Sequence, residues 1–60
     1  MNDAYIQSLD SSGWTTHNSI DNGANMNGYI LSIVMKETQN IFPNRRIRAV
    51  DEDGRLIDIL

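Results

Sequence analysis

Sixty residues with a net charge of −3 and no cysteine make one domain at most, bury only about 60% of the extended chain's surface, and leave disulfides and thiolate metal sites out of reach. His17 has no second histidine beside it, which argues against a zinc cluster, and no run approaches the ~18–20 apolar residues of a membrane span. A chain this small is usually stabilised by idealised packing or by association.

The opening, MNDAYIQSLD, lacks the basic and apolar regions of a secretory leader, so a cytoplasmic protein is expected. The charge is uneven along the chain. Residues 1–35 hold three acids (Asp3, Asp10, Asp21) and no base, whereas residues 36–60 hold all five bases and five acids. Bases interleaved with acids are not the unopposed basic patch of a typical nucleic-acid binder.

AYIQSL and WTTHNSI, separated by DSSG, predict a first hairpin. Tyr, Ile, Trp and Thr favour strands, and Asp-Ser-Ser-Gly is turn chemistry. Strict alternation would put Trp14, Thr16, Asn18 and Ile20 on one face, with Trp14 and Ile20 marking it as the core side.

DNGANMNG reads as the turn into a helix, with Asp21, Asn22 or Asn25 as N-cap. The helix continues through MNGYILSIVMKETQNIF and must stop before Pro43. Gly28 either allows another backbone to approach or marks the real start of the helix. At about 100° per residue, Met26, Ile30, Ile33, Val34 and Ile41 form one broad stripe. Tyr29 flanks it on one edge; Leu31, Met35 and Phe42 extend it on the other. The polar face is limited to Asn25, Gly28, Ser32, Lys36 and Gln39. A surface helix carries an apolar stripe slightly over 100° wide, and this one is about twice that. The surplus predicts self-association, with a homodimer as the smallest solution. Tyr29, Leu31, Met35 and Phe42 are the expected interface, or else the outer side of the last hairpin with Val50 and Leu56.

FPNRRIRAVDEDGRLIDIL carries a Pro-Asn turn, a basic strand, an acidic turn with glycine, and an apolar strand. DEDG suits a type I turn followed by a left-handed Gly, pairing Asp51 with Arg55. Counting outward sets Ala49 against Ile57, Ile47 against Ile59, Val50 against Leu56, and Arg48 against Asp58 as a cross-strand salt bridge. Ile57, Ile59 and Leu60 read as strand, so their removal should harm the fold.

The expected class is α+β: a single domain over residues 1–60, an antiparallel sheet of two hairpins in ββαββ order, and one helix packed on it. No cofactor or metal is expected. Glu37, between Ile33 and Ile41, invites an acid–base role, but an ion pair with Arg45, Arg46, Arg48 or a partner's arginine accounts for it without catalysis. His17 with Ser19 lacks a nucleophile elbow. Asp51, Glu52 and Asp53 lack the ligand spacing of a calcium loop, and GANMNG has no Lys-Ser/Thr after it to make a phosphate loop. The leading reading is a non-enzymatic interaction protein, an adaptor or inhibitor, acting by protein–protein docking. The alternative is a nucleic-acid-binding module using Arg45, Arg46 and Arg48, with Tyr5 and Trp14 as stacking aromatics.

Overall fold

A computed structural model describes residues 2–23 and 28–60. The elements are β1 (Ala4–Asp10), β2 (Gly13–Ile20), α1 (Gly28–Ile41), β3 (Ile47–Val50) and β4 (Leu56–Ile59). The strands form one antiparallel four-stranded sheet in the order β2-β1-β3-β4, so the first strand of each hairpin pairs with that of the other. The ββαββ, α+β architecture read from the sequence is the one observed. The N-cap candidate Asn25 and the stripe residue Met26 lie outside the described residues.

Each turn is closed by the chemistry its residues supply. The Asp10 carboxylate accepts from the Ser12 amide at 2.8 Å, the Ser12 hydroxyl at 2.7 Å and the Thr15 hydroxyl at 3.0 Å. Gly13 follows with φ +110°. At the second hairpin the Asp51 carboxylate accepts from the Asp53 and Arg55 amides at 2.9 and 2.8 Å. Gly54 takes φ +82°, a region L-residues avoid, and the Asp51 amide donates to the Arg55 carbonyl at 2.9 Å. The expected Asp51–Arg55 pairing is therefore present. After α1 the Arg45 amide donates to the Phe42 carbonyl at 3.1 Å, closing a turn with Pro43 at the position that favours it.

Two irregularities change which side chains share a face. In the β1–β2 ladder Ile6 opposes Asn18 while Gln7 opposes Thr16, so His17 is an extra residue, a β-bulge. Ile20, opposite Ala4, keeps to the helix side, where it packs against the core. Trp14, opposite Leu9, falls on the other side. The expectation that Trp14 and Ile20 share the core face is corrected by that one inserted residue. In the β3–β4 ladder Val50 opposes Leu56, but Ala49 opposes Asp58 and Arg48 opposes Ile59. Ile57 is the extra residue here and packs against the core. The expected Arg48–Asp58 bridge is consequently not made.

The core consists of Ala4, Ile6, Leu31, Met35, Ile47 and Ala49, with Ile20, Val34 and Ile57 against it. The helix is rolled relative to the sequence reading. Leu31 and Met35, expected to be surplus, are its inward face, 3% and 0% exposed. Ala4, Ala49 and Ser8 make the sheet's inner surface low, and side chains unbranched at Cβ, as in Leu31 and Met35, are freer at χ1 to fill such space than β-branched Ile. Burial of Met35 stabilises by about 1.5–3 kcal/mol. Thr38, also inward, donates its hydroxyl to the Val34 carbonyl at 3.0 Å, which satisfies it within the helix.

Candidate docking surfaces

The roll of α1 turns the broad isoleucine stripe outward. Tyr29, Ile30, Ile33 and Ile41 are 67%, 48%, 43% and 70% exposed, with exposed Glu37 among them. At about 100° per residue Glu37 falls between Ile33 and Ile30 around the helix, in the middle of the stripe. It makes no ion pair with a described residue, so the internal partners expected for it (Arg45, Arg46 or Arg48) do not hold it. Exposed Lys36 lies between Ser32 and Tyr29 around the helix, at the border of the stripe.

The second surface is the face of the sheet opposite α1. Register sets Ser19, Tyr5, Val50 and Leu56 in one row across the strands, and Thr16, Gln7, Arg48 and Ile59 in the next. Leu9 and Trp14 form the row after that. No described element covers this face. Leu9, Leu56 and Ile59 are 37%, 58% and 40% exposed. At its centre the Arg48 guanidinium lies 4.0 Å from the centroid of the Trp14 ring, and its Nε donates to Gln7 Oε1 at 2.8 Å. Gln7 in turn donates to Thr16 Oγ1 at 3.0 Å. Arg48 is thereby oriented by a cation–π contact and one hydrogen bond, with its terminal N–H groups donating to no described residue. By alternation Arg46, which is exposed, joins it on this side. The strand positions of the face carry arginine but no carboxylate.

A third group lies where α1 ends. Ser8 Oγ and His17 Nε2 share a hydrogen bond of 2.6 Å, and Arg45 Nη1 donates to the same oxygen at 3.4 Å. The His17 and Phe42 rings stack with centroids 4.4 Å apart. Arg45 also covers the Phe42 ring at 4.6 Å and reaches Asp10 at 3.9 Å. The Ser12 hydroxyl and amide, then the Thr15 hydroxyl, and last the Arg45 charge hold the Asp10 carboxyl below its ordinary value of 3.8. A Ser–His contact is the first requirement of a nucleophile and its base. Ser8, however, is 0% exposed, and there is no pocket among the described residues. The group clamps the first hairpin to the end of the helix. The sequence reading considered Ser19 with His17 and missed Ser8, because the bulge that turns His17 toward Ser8 leaves no mark in the alternation.

One outward amide on each outer edge of the sheet is taken up by a side chain. The Leu60 amide donates to the Ile47 carbonyl at 2.9 Å, so by alternation the Ile59 amide points away from β3. Asp58 Oδ1 accepts it at 2.8 Å. On β2 the Ser19 amide donates to Asn18 Oδ1 at 2.9 Å. An incoming strand would have to displace these bonds.

The residues singled out from the sequence are thus divided. Arg48, with Arg46, is on the open sheet face, while Arg45 belongs to the clamp on the helix side. Among the expected interface residues Tyr29 and Leu56 are exposed and Phe42 is partly covered by His17 and Arg45. Leu31, Met35 and Val50 are buried in the chain's own fold at 3%, 0% and 4% exposure, which removes them from any interface. Val50 lies between Tyr5 and Leu56 across the strands. Ile30, Ile33, Ile41, Leu9 and Ile59 take their place as exposed apolar residues. The whole is a small two-layer α+β domain, a four-stranded antiparallel sheet backed by one helix. No family model, curated protein or solved structure matches the chain. No described helix is long and apolar enough to cross a membrane.

Proposed function

We propose that the chain is a non-enzymatic docking module of adaptor or inhibitor type, acting by protein–protein contact and associating with a second copy of itself. One observation carries the reading: exposed apolar side chains stand on the outer face of α1 (Tyr29, Ile30, Ile33, Ile41) and on the open face of the sheet (Leu9, Leu56, Ile59), on opposite sides of a domain only two layers thick. Exposed apolar side chains gathered on one face of a small domain mark an interaction site. The buried Ser8 hydroxyl, out of reach of a substrate, supports the non-enzymatic part. We place the protein in the cytoplasm, where a fold built without disulfides needs no oxidising compartment. Light scattering over a dilution series tests the reading. The expected mass rises above the 6.8 kDa of one chain as concentration increases; a constant single-chain mass would refute self-association.

Single-stranded nucleic acid is the second reading, favoured by the arrangement of Tyr5, Trp14, Arg46 and Arg48 on one open sheet face. Against it, Arg45 is committed to Asp10 and Phe42 on the other side, and the chain is acidic. Oligonucleotide binding measured at two salt concentrations decides it. Affinity that falls steeply with salt and is lost in Arg46→Ala would favour nucleic acid.

A further inference from the structure

We propose that copies of the chain dock head to tail, the outer face of α1 on one molecule covering the open sheet face of the next, with Glu37 of the first meeting Arg48 of the second. The inference rests on the self-association reading and specifies its contact.

The argument starts from the charge at the centre of each surface. The helix stripe holds a carboxylate, Glu37, amid Ile30, Ile33 and Ile41. The sheet face holds a guanidinium, Arg48, amid Leu9, Leu56 and Ile59. A symmetric dimer sets each surface against itself. Helix on helix with Glu37 at the two-fold axis would bring Glu37 toward Glu37, and sheet on sheet centred on Arg48 would bring Arg48 toward Arg48, burying like charges. Neither symmetric contact offers Glu37 the oriented guanidinium of Arg48. Lateral pairing of strands is opposed by the Asp58 and Asn18 side chains that occupy the outward amides of Ile59 and Ser19. Helix on sheet sets the two central charges, Glu37 and Arg48, against each other with opposite sign. It also repeats the packing inside the domain, where one face of the same helix already covers the other face of the same sheet. Arg48 is prepared for a carboxylate: Gln7 and Trp14 hold its Nε and its plane, leaving the terminal N–H groups to donate, the geometry in which arginine binds carboxylates best.

A contact between two different surfaces does not close at two copies; it ends in a ring where the rotation from copy to copy closes and in an open filament where it does not. The dimer keeps a bare helix at one end and a bare sheet at the other, so it lengthens as concentration rises.

The test uses two double variants of exposed residues. Ile30→Gln with Ile33→Gln alters only the helix face, and Leu56→Gln with Ile59→Gln only the sheet face. Circular dichroism and thermal melting establish that each is folded. Each variant alone is expected to stay monomeric, since every contact in a uniform solution needs both faces. Mixed in equal amounts, they are expected to form one-to-one pairs that grow no further, at concentrations where the unaltered chain forms larger species. Glu37→Gln, at an exposed position where folding is not in doubt, is expected to weaken association of the otherwise unaltered chain about tenfold at low salt and to remove most of its salt dependence. Several results would overturn the proposal. They are a helix or sheet variant that still dimerises alone, a mixture that stays monomeric although both variants are folded, and Glu37→Gln associating as the unaltered chain does. An unaltered chain that halts at a symmetric dimer would keep the self-association reading and discard only the head-to-tail contact. A chain monomeric at every concentration would discard both.

Discussion

Ile33 and Met35 are near neighbours in sequence with opposite fates, and the difference sets what substitution does. Met35 is fully buried between Ala4, Ile6, Ile47 and Ala49, so Met35→Ala leaves a cavity and should lower stability by about 2–5 kcal/mol. Ile33 is 43% exposed, and Ile33→Ala should change stability by no more than about 0.5 kcal/mol in the monomer. Urea titration of the two variants at low protein concentration measures both; equal losses would contradict the observed roll of the helix. Asp10 gives a prediction in pH. Its folded-state value is lowered, by the Ser12 and Thr15 hydrogen bonds first and Arg45 last. A carboxylate lowered on folding contributes stability that is present in full above its unfolded value and disappears as pH falls through the folded one, hence from about pH 4 downward. Asp10→Asn should be less stable at neutral pH and lose less than the unaltered chain on acidification over that range, measured by thermal melting in a pH series.

Among the elements, the turns were the most legible part of the sequence because their chemistry is local. DSSG, Pro43-Asn44 and DEDG each close with bonds between residues a few positions apart, and the ββαββ order follows from them. The second hairpin depends on Gly54 at φ +82°. Gly54→Ala should cost about 1–2 kcal/mol, although a Cβ there meets nothing within 4 Å, so the loss is conformational, not steric. A melting curve unchanged by the substitution would mean that the turn adopts another form. The side on which each residue falls was far less legible. A helix apolar on two sides has no unique inward phase; Ile30 and Ile33 looked like core as much as Leu31 and Met35 did. The inward face of the helix shares a cluster with the small residues Ala4 and Ala49, which lie on β1 and β3 and join one surface only when those strands pair. The strands failed for a different reason. A bulge adds one residue without any compositional signal, and beyond it the alternation is inverted. His17 moved Trp14 to the open face in this way, and Ile57 exchanged Asp58 for Ile59 as the residue opposite Arg48.

At the scale of the molecule, the Cα frame is 14 Å across its thinnest dimension against 30 and 22 Å in the others, which leaves room for one layer of core and no more. Exposed apolar residues are shared between two opposite faces; of the side chains expected at an interface Tyr29 and Leu56 are among them, whereas Leu31, Met35 and Val50 are not. The candidate arginine site was legible only in part. Arg46 and Arg48 were placed together by strand alternation, whereas Arg45 turned away to the clamp. The position of the chain's one tryptophan has a practical consequence. Trp14 is not a core residue; it sits on the open sheet with its indole beside the Arg48 guanidinium. Its fluorescence therefore reports what settles on that surface. Emission should shift to the blue when a partner displaces water from the ring, while an isolated molecule whose interior is altered at Met35 should keep its spectrum until it unfolds. The protein carries its own optical label at the place where an encounter would be felt.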